Sequence, residues 1–134
     1  MVLDEKITVL KRVTLSHSDI MLRSDGIVQI NYAPEAHFTE KQAREWFVEL
    51  EKMVEGKSYP ILKVPGDHST TDQSNRDFVA KGEGLKYSKA EAFVLKSMAH
   101  RIIGNFYMMV DKPLKPTKMF ANEEDAVNWL YQFR

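Results

Sequence analysis

Residues 19–32 read DIMLRSDGIVQINY. Two apolar runs flank Ser24-Asp25-Gly26, and an Asp-Gly pair supplies the positive-φ positions of a tight hairpin, so strands are expected over 19–23 and 27–32. Upstream, Ile7, Val9, Val13 and Leu15 fall at odd positions, the period of a strand with one buried face, and residues 1–16 are read as an extra edge strand or arm. Downstream the period changes. Thr39 and Gln42 have capping-box spacing, and Ala43, Trp46, Phe47, Leu50, Met53 and Val54 follow at helical intervals until Gly56. The short apolar segment YPILKVP at 59–65 then reads as a buried strand parallel to the second hairpin strand, which makes a βαβ unit.

The remaining elements repeat this alternation. A short helix carries Phe78 and Val79 and closes at Gly82 and Gly84; residues 89–96 form a strand, 97–111 a helix, and Pro113 and Pro116 bracket a turn. Residues 117–120 form a last short strand, and Asn122 caps a helix whose Ala126, Trp129, Leu130 and Phe133 share one face. The expected fold is α/β: a mixed sheet of four to five strands with alternating helices, opening with a β-hairpin. No repeat or linker divides residues 1–134, so one domain is expected.

The chain has 134 residues, with 19 Lys plus Arg against 19 Asp plus Glu, and no cysteine. A formal charge of zero supplies no basic field for nucleic acid. Lack of cysteine removes disulfides and thiolate chemistry and accords with a reducing compartment. The first residues, MVLDEK, carry acids where a signal peptide carries bases, and no apolar run approaches the ~20 residues of a membrane span. A cytoplasmic location is expected.

Enzymatic chemistry finds little to use. His17, His37, His68 and His100 lack the spacing that places two imidazoles on one helical face, so no metal site is expected. There is no nucleophile elbow, phosphate loop or dinucleotide fingerprint, and no cofactor is expected. Asp67, His68 and Ser69 are adjacent in sequence, which points their side chains apart rather than into a triad.

Two segments remain as candidate sites. The loop KVPGDHSTTDQSNRD, residues 63–77, lies at the carboxyl end of a strand, where α/β sheets bind ligands. Its Asp67, His68, Ser69, Thr70 and Thr71 form a candidate partner or phosphorylation loop. The simpler reading is that one of the three hydroxyls caps the next helix. On the helix over 97–111, Met98, Ala99, Ile102, Ile103, Phe106, Met109 and Val110 fill one face, expected to be core. The opposite face presents His100, Arg101, Gly104, Tyr107 and Met108. Glycine in mid-helix costs roughly 1 kcal/mol relative to alanine, so close approach is expected at Gly104, either by a partner or by a neighbouring element of the same chain.

The hairpin together with YPILKV, AEAFVLKS, RIIGNFYMMVDKP and PTKMFANEEDAVNWL resembles the bacterial STAS-like family, related to anti-sigma-factor antagonists, over roughly residues 16–133. That resemblance implies a non-enzymatic, protein-binding regulator. In the antagonists a hydroxyl residue in an Asp-Ser-(Ser/Thr)-Gly-like loop, at the start of the second helix, is phosphorylated by the partner kinase. Residues 66–71, GDHSTT, occupy that place, although Asp67 is followed by His68 and no glycine follows the hydroxyls. A protein partner or homo-oligomer is therefore expected. The alternative is a small-molecule or lipid-binding protein of CRAL-TRIO-like topology, with Trp46, Phe47, Phe93, Phe106 and Met109 lining a cavity.

Overall fold

A computed structural model describes residues 6–134, so the part of the expected arm over 1–5 lies outside the described residues. Strands β1 (Val9–Thr14), β2 (Ser18–Arg23) and β3 (Val28–Tyr32) run antiparallel, with Ile20 opposite Ile30. The hairpin turn differs in detail from the expected one: only Gly26, at φ 84°, is left-handed, and the Arg23 amide donates to the Ile27 carbonyl. That is a three-residue loop, in which Gly alone needs positive φ.

After a two-residue strand β4 (His37–Phe38), helix α1 spans Glu40–Val54, and its Thr39–Gln42 capping box is formed in both directions. Strand β5 (Tyr59–Val64) pairs parallel with β3. A second two-residue strand, β6 (Thr70–Thr71), pairs with β4 and leads into α2 (Gln73–Ala80). Strand β7 (Ser88–Val94), helix α3 (Met98–Phe106), strand β8 (Thr117–Phe120) and helix α4 (Glu123–Leu130) complete the chain, α3 running on as a π-helical turn over Tyr107–Asp111.

The main sheet has six strands in the order β1-β2-β3-β5-β7-β8, rather than four to five, because β1 does add an edge. Its exposed side chains explain why the segment is hard to read: Val13 and Leu15 pack partly on the core, while Ile7 and Val9 remain exposed. From β3 onward every pairing is parallel and every crossover steps in one direction. Right-handed crossovers in one direction deliver their helices to one face. Accordingly α1, α2 and Tyr107 share a core with Ile20, Ile30 and Ile61, whereas α4 covers the other face through Ala126 and Leu130 against Ile27, Leu62 and Ala92.

Helix α3 reverses the expected orientation. Met98, Ile102, Ile103, Phe106, Met109 and Val110, expected as core, are exposed, and Met109 reaches 74%. Tyr107, expected outward, is buried, and the close approach expected at Gly104 is made by a neighbouring part of the same chain. The cause is local: a Cβ on Gly104 would sit 2.5 Å from Leu95 Cδ1, and Tyr107 donates to the Val79 carbonyl at 3.2 Å. The helix rests on its neighbours along the narrow strip that glycine permits. The four-residue edge strand β8 offers nothing broad enough for its wide apolar side.

Candidate functional site

Residues 66–72 are fixed by backbone first. The Glu35 amide donates to the Asp67 carbonyl, Thr70 to Ala36 and Asp72 to Phe38, so the loop is stitched to the segment that follows β3. Gly66 is required at this crossing, since a Cβ there would overlap the Tyr32 carbonyl. His68 takes the left-handed conformation at φ 60° and is exposed.

The helix cap is not one of the three hydroxyls. Asp72 caps α2, its Oδ1 accepting from the Asn75 amide at 3.0 Å and from the Ser74 hydroxyl at 2.7 Å. The amide bond and then the Ser74 hydroxyl hold the Asp72 carboxyl below its ordinary range. Each hydroxyl has another task. Ser69 is buried; its carbonyl accepts from His100 Nε2 at 2.9 Å, which places the proton on that nitrogen. Thr70 is exposed, with its hydroxyl 2.6 Å from His37 Nδ1. Thr71 Oγ1 accepts from the Asn75 side-chain amide. A strand pairing of Thr70 and Thr71 moved the helix start past them, and no apolar alternation announces a ladder two residues long.

The expected loop and helix groups therefore meet at one place, through Ser69 and His100. Arg76 ties the other side: it donates to the Thr71 carbonyl, lies 3.2 Å from Asp111 Oδ2, and stacks under Phe106 at 5.3 Å. Of the other expected interface residues, Arg101 and Met108 are exposed.

Beneath the loop and α3, at the carboxyl ends of β3, β5 and β7, lies a partly open cavity of about 120 Å³. Its walls include Phe93, Leu95, Ile103 and Met119. The expected cavity set does not assemble: Phe93 lines this space, but Trp46 and Phe47 are packed in the core and Phe106 and Met109 face solvent. At the floor Lys63, 1% exposed, meets Glu91, 0% exposed, at 3.0 Å, with the ammonium 5.0 Å from the Trp46 ring and 5.4 Å from the Phe93 ring. Ser88 donates to the second Glu91 oxygen. Sequence reading passed over this pair, although one charge inside each of two apolar central strands, YPILKV and AEAFVL, is the available signal. Among the described residues no group of three or more His, Asp or Glu side chains is placed to hold a metal ion.

This geometry defines an α/β domain whose features gather at the carboxyl edge of a mostly parallel sheet. Residues 20–134 match the model of a family described as a domain of unknown function (DUF7793), and the chain belongs to that family. No curated protein matches it. Among solved structures it is similar to a protein with unknown function from Arthrobacter sp. FB24, with 24% identity and a TM-score of 0.30, over 83% of this chain and 96% of that chain. No helix among the described residues is long and apolar enough to cross a membrane.

Proposed function

We propose that the protein is a non-enzymatic binding module of the regulatory kind that its STAS-like resemblance implies, and that its docking surface is the outer face of α3. The observation that carries this reading is the exposure of Met98, Ile102 and Met109 at 71, 63 and 74% on one well-capped helix. Contiguous apolar surface of this kind marks an interaction site, and methionine adapts its shape to a partner.

The partner's chemistry follows from the rim. Between Lys96 and Lys118 the only carboxylate is Asp111, which is buried against Arg76. Lys96, Arg101 and Lys112 are exposed and make no ion pair among the described residues. Two copies meeting through this face would oppose like charges, which disfavours a homodimer. An amphipathic protein segment with an acidic rim satisfies both the apolar stripe and the charge. Photo-crosslinking from position 109 in the source cells tests this. The expected adduct is a peptide with an apolar face flanked by Asp or Glu, lost on Arg101→Glu or Ile102→Asp substitution. An adduct to lipid, an adduct to a second copy, or none would overturn the reading.

A second reading concerns Thr70. It is the exposed hydroxyl of the loop, and His37 at 2.6 Å, once protonated, would pair with a phosphate there. Phosphopeptide mapping of residues 63–81 from native protein should place any phosphate on Thr70 rather than on buried Ser69; an unmodified loop rejects the switch.

A further inference from the structure

The cavity beneath the loop holds two hydrogen-bond donors that the chain itself leaves underused. Lys63 Nζ has Glu91 Oε1 at 3.0 Å, but that oxygen accepts no aligned hydrogen bond, and the ammonium otherwise faces aromatic rings. Tyr32 also lines the cavity, and burial, then the Glu91 carboxylate, pushes its phenol far above its ordinary range, so it stays a neutral O–H donor. A lone buried ammonium is costly and a pair with poor alignment recovers only part of that cost. Polar groups placed in an otherwise apolar recess are what orient a ligand.

The geometry points to a binding site for a small, uncharged, apolar molecule carrying one carbonyl oxygen, which would accept from Tyr32 Oη and Lys63 Nζ. Charge selects the head group. Lys63 and Glu91 already balance, so a ligand carboxylate would add a second negative charge beside the buried Glu91. Volume bounds the body: about 120 Å³ is less than the roughly 150 Å³ that accepts benzene, so the space takes a short branched chain, or a single ring that reaches out through the open side. Leu95, Ile103 and Met119 supply its contacts. This goes beyond the docking face on α3 and stands independently of it, because neither Tyr32 nor Lys63 lies on that face.

Cyclohexanone is a suitable probe, compared with cyclohexane, which lacks the oxygen, and with cyclohexanecarboxylate, which carries a charge. Methyl NMR of the full chain should show saturable shifts at Leu95, Ile103 and Met119 with cyclohexanone, and weaker binding of both comparison compounds. Tyr32→Phe, which removes a hydroxyl without deleting core volume, should weaken cyclohexanone about fivefold, the worth of one net hydrogen bond. Lys63→Met should weaken it further, and circular dichroism identifies that variant if it fails to fold, in which case Tyr32→Phe alone decides. No shifts at those methyls, equal affinity for cyclohexane, tighter binding of the carboxylate, or a Tyr32→Phe protein that binds as before would each overturn the assignment.

Discussion

Helix α1 turns Trp46, Phe47 and Leu50 into the core, whereas α3 turns Met98, Ile102 and Met109 to solvent. Both carry an apolar stripe at helical spacing, and both are capped by a hydroxyl residue, Thr39 and Ser97. The stripe states that a face can be buried without stating what buries it. In α1 the inner strands β2, β3 and β5 do so, through Ile20, Ile30 and Ile61. In α3 the side that meets the protein is chosen by Gly104, which admits Leu95 closely, and the stripe is left over.

The buried pair under the cavity offers the largest test of what the inner side of the molecule requires. Replacing Lys63 by Met leaves Glu91 uncompensated in the sheet and should cost about 3–5 kcal/mol in urea unfolding, whereas Lys63→Met with Glu91→Leu should recover most of it. A single substitution costing under a kilocalorie would mean that water already reaches the pair.

The two helices should then separate cleanly under truncation. Trp46→Ala removes a 1% exposed ring from the core and should cost about 3–5 kcal/mol, while Met109→Gln on α3 should stay within about 0.5 kcal/mol of the parent. If Met109→Gln destabilised the isolated protein by as much as a core change, α3 would have its stripe packed in solution and the docking surface would vanish. Gly104→Leu sharpens the same contrast: overpacking against Leu95 should cost about 1–3 kcal/mol, even though leucine is the better helix former.

These contrasts also show which parts could be read in advance. The hairpin, the α1 capping box with its six buried positions, the parallel β5 and the Asn122 cap are all set by neighbours in sequence, and each is found in place. The α3 orientation depends on a contact between Gly104 and Leu95 and on the shortness of β8, neither of which has a period. The cap of α2 was displaced by a ladder of two residues to Asp72, and the cavity is bounded by residues from eight separate elements and the loops between them. Lys63 and Glu91 become partners only when β5 and β7 align, with Glu91 opposite Ile61. Local chemistry was legible; the meeting of distant segments was not.

The smallest effect concerns that displaced cap, and it can be told from the alternatives by its pH dependence. Asp72 holds the Asn75 amide and the Ser74 hydroxyl, which depress its carboxyl in the folded chain relative to the unfolded value near 3.9. A depressed carboxylate contributes stability that is fully present above the unfolded value and is lost as pH falls through the folded one. Asp72→Ala should therefore lower the thermal midpoint at pH 7, and its deficit should shrink as acid protonates the parent below about pH 4. Asp72→Asn keeps an accepting oxygen and should lose less at neutral pH, with no titration of its own. Thr70→Ala leaves the cap intact and should change the midpoint least of these variants at any pH. Were Thr70→Ala to match Asp72→Ala, the helix would begin at the hydroxyl run, and β6 with its pairing to β4 would have to dissolve.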